Sequence, residues 1–420
     1  MWSCLERLAR DGGLLAGAGG ATPWRGVLER AEELRPELAG LVGGHGGSVG
    51  LRPGAPAETL AALATLRELG AAVALLPPGS PAEGLVEVEL RPGAHPGAVA
   101  PILHGPPAVR PQGGTVTVFS SATTGPSRPH AWRWESLLAR VRVPGPVRGG
   151  AWLSAYPLYT FAGLQALLHA LEGAGSLVLL SPADSLDAAI RWSTRFRLAM
   201  ATPTFWRRAL LTGLPEPREG LTVERLSMGG EPATQDLLDR LGLAFPSARI
   251  THVYASSEQG SLFSVSDRQA GFPAGWIGRR LASGAALEIR DGELWVSSDP
   301  GKPFRPTGDL VALHGGRVSF EGRRNDVVNV GGRKVNLLRV ETVLRSLPEI
   351  ADVRTYPTAS VVTGQLVAAD LVLQTGRDPE AFRTALPGLL RNLLAPEERP
   401  RRIRFLDAIP VSPAGKVVRA

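Results

Sequence analysis

Apolar positions in the first hundred residues switch between two spacings. In Thr59-Leu60-Ala61-Ala62-Leu63-Ala64-Thr65-Leu66 the leucines fall at helical intervals, and the unbroken run Ala71-Ala72-Val73-Ala74-Leu75-Leu76 comes shortly after. A helix-spaced stretch leading into a short, wholly apolar run predicts a βαβ unit whose strand is buried on both faces of a parallel sheet. The rhythm returns after residue 150: 152–158 reads as a strand, and Phe161, Leu164, Leu167, Leu168 and Leu171 share one helix face. Residues 177–180 and 198–202 read as further strands, the second leading into a helix. From about 285 to 320 the pattern becomes short and alternating, as in Gly292-Glu293-Leu294-Trp295-Val296, which predicts a small β-rich subdomain. Two helices opening near Asn336 and Pro379 then lie among strands at 350–356, 359–373 and 402–407. The expected fold is α/β: a large N-terminal core domain (1–325) of parallel-type sheets covered by helices, carrying the β-rich subdomain, then a small mobile α+β domain (326–420).

Composition narrows the function classes. A chain of 420 residues exceeds the usual size of one hydrophobic core, in keeping with two domains. Cys4 is the single cysteine, which excludes an intrachain disulfide and fits a reducing compartment. The most apolar region, 152–180, is broken by Pro157, His169 and Glu172, and the N-terminus by Glu6, Arg7, Arg10 and Asp11. Neither reads as a membrane span or a secretory leader, so a cytoplasmic protein is expected. The net charge of +7 comes from scattered arginines with no aromatic-interleaved basic stripe, a pattern that suits small anionic substrates better than nucleic acid. Only Lys302, Lys334 and Lys416 among the 46 basic residues are lysine.

Five polar segments carry candidate chemistry. The strand-like Thr115-Val116-Thr117-Val118-Phe119 runs into Ser120-Ser121-Ala122-Thr123-Thr124-Gly125-Pro126-Ser127-Arg128. Small residues let backbone N–H groups approach a phosphate, hydroxyls add donors and Arg128 adds charge, although a Ser/Thr-rich surface turn reads equally well. In Tyr254-Ala255-Ser256-Ser257-Glu258, Glu258 offers a hard oxygen for Mg²⁺ and Tyr254 a ring for a base; the alternative is a capped strand end with a solvated carboxylate. Gly229-Gly230-Glu231-Pro232 is a tight turn after a strand, and ligands of open α/β sheets bind at such strand ends. Thr307-Gly308-Asp309 and Gly322-Arg323-Arg324-Asn325-Asp326 read as a ribose grip or as a turn with surface arginines. Pro410-Val411-Ser412-Pro413-Ala414-Gly415-Lys416 reads, alone, as a frayed tail.

Taken in order, the five segments resemble the adenylate-forming superfamily of acyl- and aryl-CoA synthetases, luciferases and nonribosomal-peptide adenylation domains. The family's Ser-Ser-Gly-Thr-Thr-Gly-x-Pro-Lys resembles residues 120–128, its Tyr-Gly-x-Thr-Glu residues 254–258 and its Thr-Gly-Asp residues 307–309. Its Gly-Arg-x-Asp-Asp resembles 322–326 and its closing Pro-x-Thr-x-x-Gly-Lys 410–416. Ala122, Ser127, Arg128, Ala255 and Asn325 depart from those patterns, and about a hundred residues precede the phosphate loop, fewer than in most relatives.

The resemblance implies a stand-alone acyl- or aryl-CoA ligase-like member with a shortened N-terminal region. Such an enzyme uses ATP and Mg²⁺ to convert a small carboxylic acid to its acyl-AMP, then transfers the acyl group to coenzyme A; the alternatives are a carrier-protein phosphopantetheine acceptor or a non-catalytic nucleotide-binding scaffold. It implies that Ser120, Ser121, Thr123, Thr124 and Gly125 surround the β- and γ-phosphates with Arg128, and that Gly230, Glu231, Pro232 and Tyr254 line the adenine. Ser257 and the metal-binding Glu258 approach the α-phosphate, Asp309 and Arg323 hold the ribose, and Lys416 bridges carboxylate and α-phosphate. Tyr159, Thr160, Gly229 and Val253 border the acyl pocket, Thr160 standing where the family has His. Asn325 takes the hinge position, and Gly331, Gly332 and Lys334 serve the thiol step.

Overall fold

The computed structural model of the protein describes residues 1–17, 20–44, 47–83, 85–92, 99–104, 112–120, 127–212 and 221–418. Their contacts divide them into two units, Met1–Arg268 with Pro413–Lys416, and Gln269–Ser412 with Val417 and Val418.

Two sheets organise the first unit. One runs Gly260–Val265, Arg249–Ser256, Arg225–Gly229, Arg195–Ala201, Ala151–Ser154, Ser176–Leu179, Leu14–Gly17, Gly20–Pro23; its inner strands are parallel and its two outermost antiparallel. The other runs Val99–Leu103, Val88–Pro92, Ser48–Leu51, Ala72–Leu75, Thr115–Phe119, Pro129–Arg133, again with a parallel centre and antiparallel edges. The expected strands at 71–76, 115–119, 177–180 and 198–202 are all present within a few residues. The strand expected over 152–158 ends at Ser154, because the backbone turns before Pro157 and Thr160 caps the helix Phe161–Gly173. The 21-residue helix Trp24–Gly44, with Pro36 inside it, is an element that the apolar spacing does not predict.

The helix Pro56–Glu68 shows how the core is built. Leu60, Leu63 and Leu66 are buried, but so are Ala61, Ala62 and Ala64 on the other sides, so no face of this helix meets water over residues 59–66. Each buried leucine contributes roughly 1.5–3 kcal/mol. Thr65, polar like Thr59 in the same buried stretch, donates its hydroxyl to Ala31 O at 2.9 Å and so ties this helix to Trp24–Gly44.

One ion cluster holds the edge of that sheet. Glu89 is fully buried and accepts from Arg52 Nε at 2.8 Å, Arg91 Nε at 2.6 Å and His104 Nε2 at 3.1 Å. Burial alone would raise its carboxyl, but the hydrogen bonds from Arg91, Arg52 and His104 outweigh it and hold the group at about 2. A lowered folded value means that the stabilisation is fully present above the ordinary value of 4.5 and is lost as pH falls toward about 2. Urea unfolding at pH 7 and pH 3 should therefore show a smaller acid loss for Glu89→Gln than for the wild type; equal losses would mean that the cluster is not linked to folding.

The second unit is antiparallel where the first is parallel. Phe272–Pro273, Arg317–Arg323, Arg305–His314, Glu293–Ser297 and Ala286–Arg290 form the expected β-rich subdomain. Arg333–Asn336, Val327–Val330, Gly364–Leu373 and Ile350–Ser360 form another sheet, with Arg402–Phe405 added parallel to Gly364–Leu373. Asn336 and Asp378 cap its helices, Leu337–Arg345 and Pro379–Leu390, near the positions expected from the pattern. Val335, Val340, Leu344, Val353, Leu371 and Phe382 are among the apolar residues buried there. The division by packing thus falls at Arg268, before the β-rich subdomain. Side chains as well as the backbone join residues 321–326 to residues 336–338: Asn336 Nδ2 donates to Glu321 O, and a Cβ at Gly322 would lie 3.2 Å from Leu338 Cβ.

Candidate active site

The loop after Phe119 is a hairpin whose base is described and whose tip is not. Phe119 lies opposite Pro129 in the ladder, Ser120 N donates to Arg128 O at 2.9 Å, and Arg128 N donates to Ser120 Oγ at 2.9 Å. Ser120 therefore closes the loop with its side chain. Ser121, Thr123, Thr124 and Gly125 lie outside the described residues. Phe119 N also donates to Tyr159 O at 2.7 Å, which draws the expected acyl-pocket segment to the end of the same strand. Thr160 there is a helix cap: its Oγ1 accepts from Gly163 N at 3.1 Å and donates to Pro157 O at 2.7 Å. The hydroxyl that replaces the family's imidazole is thus committed to its own helix. Tyr159 is buried and its phenol has no hydrogen-bond partner among the described residues, and burial pushes it up to about 12.

The C-terminal ends of the parallel strands in the first sheet gather the next group. Tyr156 donates its hydroxyl to Ala201 O at 2.6 Å, with Gly229 O at 3.3 Å, and so spans two strand ends. A Cβ on Gly229 would meet Val253 O at 2.9 Å, which places Gly229 and Val253 side by side. Gly230 adopts φ +90°, and a Cβ there would stand 3.1 Å from Lys416 Cε and 3.4 Å from its Nζ. The lysine near the end of the chain is therefore laid along the backbone of the Gly229-Gly230 turn. Thr202, buried at the end of its strand, accepts from Phe205 N at 3.1 Å and donates to Gly415 O at 2.9 Å, so one hydroxyl both caps a helix and holds the residue before Lys416. Glu231 directs its carboxylate to Thr204, accepting from N at 3.1 Å and Oγ1 at 2.6 Å, while Pro232 is exposed. Only the backbone of Glu231, not its charge, is then available to a neighbouring base.

The third group lies on the adjoining strand. Tyr254 stacks on Phe263 with centroids 5.0 Å apart and planes 13° from parallel. Ser257 O accepts from Trp132 Nε1 at 3.0 Å, and Glu258 Oε1 approaches His130 Nε2 at 3.4 Å. Trp132 and His130 stand on the strand that begins at Pro129, opposite Phe119, so the Tyr254–Glu258 segment is fastened beside it. The Glu258 side chain is 58% exposed, a carboxylate open to an incoming ion. Among the described residues no cluster of three or more His, Cys, Asp or Glu is arranged to hold a metal. A single exposed carboxylate fits Mg²⁺, which keeps most of its waters, rather than a caged metal.

In the second unit Asp309 and Arg323 are ladder partners, with Nε to Oδ1 at 3.1 Å. Their geometry is set by the buried Glu293, which accepts from Gly308 N at 2.8 Å and pairs with Arg324. Gly331 and Gly332, both at positive φ, form the tip of an exposed hairpin that also carries Lys334. Asn325 is exposed in the short turn Arg324–Asp326.

Residues 95–311, just over half of the chain, match the family model of the AMP-binding enzymes, and residues 339–416 match the model of their C-terminal domain. The chain belongs to the AMP-binding enzyme family. Among the relatives of this AMP-binding enzyme, a 4-coumarate–CoA ligase-like protein of Oryza sativa subsp. japonica is 26% identical over 75% of the chain and 62% of its own length. A 2-succinylbenzoate–CoA ligase of Lactococcus lactis is 26% identical over 72% of the chain and 69% of its own length. The chain thus spans about 62% of the length of the rice relative it matches. Of the solved structures, ATP-bound MatB from Rhodopseudomonas palustris superposes with a TM-score of 0.72 at 19% identity, covering 99% of this chain and 97% of that one. The anthranilate–CoA ligase AuaEII with anthranoyl-AMP gives 0.73 at 17% identity, covering 99% and 95%. These likenesses establish the two-part fold of the AMP-binding enzyme. No helix of its described residues is long and apolar enough to cross a membrane.

Sequence reasoning does not find Tyr156, Thr202, Thr204, His130 or Glu293. Thr202-Pro203 does carry a signal, an N-cap before proline at N1, but nothing local says that the same hydroxyl reaches Gly415.

Proposed function

We propose that the protein is an ATP-dependent acid–thiol ligase of the cytoplasm that forms an acyl-AMP and passes the acyl group to coenzyme A. The observation that carries this reading is Lys416 laid against Gly230 at the strand ends. A carboxylate oxygen of the acid attacks the α-phosphorus of ATP, the bond to the bridging oxygen breaks, and pyrophosphate leaves. A half-buried ammonium at that point offsets the charge that builds on the phosphorus oxygens, without reorganising as it does so. Ser120, Ser121, Thr123, Thr124, Gly125 and Arg128 hold the outgoing phosphates, and Glu258 supplies the protein oxygen for the Mg²⁺ that neutralises them. Tyr254, held flat by Phe263, and the backbone of Gly230, Glu231 and Pro232 receive the adenine, while Asp309 and Arg323 take the ribose. In the second step the thiol sulfur attacks the acyl carbonyl, the bond to AMP breaks, and the thiol proton passes to solvent. Gly331, Gly332 and Lys334 serve that step after residues 326–420 turn about Asn325, the boundary of motion lying later in the chain than the boundary of packing.

ATP–pyrophosphate exchange tests the reading. With a panel of acetate, hexanoate, benzoate, 4-coumarate and 2-succinylbenzoate, exchange should require both Mg²⁺ and at least one acid, and added coenzyme A should consume the acyl-AMP. Binding of ATP without exchange for any acid in a widened panel would leave a nucleotide-binding scaffold instead.

A further inference from the structure

The turn that carries Lys416 has a closed base. Val411 bridges Val417, and Val418 N donates to Pro410 O at 3.3 Å, so residues 410–418 fold back on themselves. One side chain reaches this base from the sheet of the small α+β region. Arg354, on the strand Ile350–Ser360, donates Nη1 to Val418 O at 2.7 Å, two residues beyond Lys416. The same guanidinium gives Nε to Asp370 Oδ2 at 2.7 Å. Asp370 has no solvent exposure and also accepts from Arg404 at 2.7 Å and from Tyr356 Oη at 3.0 Å. A planar guanidinium fixed on one edge by a buried carboxylate has its remaining N–H groups aimed in set directions, and here one of them is aimed at the tail.

We propose that Arg354 is a positioning residue for Lys416, holding the base of its turn so that the ammonium is already in place when the acyl-AMP bond forms. This rests on the adenylating function proposed for the same site. Arg404 provides the internal control: among the described residues its hydrogen bonds go to the two oxygens of the same carboxylate, and none goes to residues 410–418. Both arginines cease to be charge partners of Asp370 when changed to glutamine, and only one of the changes frees Val418 O.

The chain's three lysines make the test direct, because Lys302 and Lys334 are exposed internal references for the half-buried Lys416. Limited acetylation with an amine-reactive ester, read by mass spectrometry in the full chain, should show Lys416 labelled several-fold faster relative to Lys334 in Arg354→Gln. In Arg404→Gln the ratio should match the wild type. Adenylation by Arg354→Gln should fall by about a hundredfold, the scale of a misplacement of about 1 Å, with thioester formation from supplied acyl-AMP unchanged. Should Arg354→Gln fail to fold, Arg354→Lys serves, since an ammonium cannot span Asp370 and Val418 O together. An unchanged labelling ratio, or equal behaviour of the Arg354 and Arg404 variants, would overturn the proposal. If labelling responds as stated while the wild type exchanges with no acid, the positioning contact stands and the adenylating function falls.

Discussion

Lys416→Ala is expected to lower ATP–pyrophosphate exchange by roughly a hundred- to a thousandfold, about 2.7–4 kcal/mol of transition-state stabilisation, while thioester formation from supplied acyl-AMP stays near wild type. The asymmetry comes from the chemistry. Only the first step builds charge at a phosphorus, and the side chain proposed to meet it lies along Gly230, where a Cβ would come within 3.1 Å of its Cε. Lys416→Arg should rescue little, because a planar guanidinium spreads over three nitrogens the charge that an ammonium holds at one point. A chain that writes arginine almost everywhere else and keeps lysine here agrees with a demand for a compact charge. Both half-reactions are to be measured on the same preparation; equal losses in the two would make Lys416 a structural residue.

Asp370→Ala should destabilise the protein by about 3–5 kcal/mol, the cost of leaving a buried cation without its partner. The Arg354 side chain is 10% exposed and depends on this carboxylate, whereas Arg404, at 59%, can turn to water. For a unit of this size about 1 kcal/mol moves the melting temperature by about 2–4 °C, so the unit should melt roughly 6–20 °C lower. Burial alone would raise the Asp370 carboxyl, but hydrogen bonds from Arg404, Arg354 and Tyr356 outweigh it and hold the group below its ordinary 3.8. Its stabilisation is therefore fully present above that value and is lost as pH falls through the folded one. Differential scanning calorimetry of wild type and variant at pH 7 and pH 3 should show the gap narrowing in acid. A loss of under about 1 kcal/mol at pH 7, the level of an exposed pair, would show that the pair is worth no more than a surface ion pair.

Features encoded by neighbouring residues are legible in the sequence alone. The strand Thr115–Phe119, the helix beginning at Phe161 and the helix opening at Asn336 each depend on periodicity or capping within a few positions. The order of the motifs along the chain is enough to indicate an AMP-binding enzyme. It cannot say that Thr160 caps its own helix rather than facing a substrate, since that depends on the path of the chain at Pro157, nor that the carboxylate of Glu231 is held by Thr204.

The contacts that assemble the site are decided by strand order. Thr202 meets Gly415 across 213 positions, Arg354 meets Val418 across 64, and Tyr156 joins two strand ends that are not consecutive in the chain. A two- or 3.6-residue period states which face of an element is buried, but not which element lies beside it. That choice is made by the packing of whole sheets and helices, and only there does a Gly-Lys near the chain's end become a cation laid on a glycine turn.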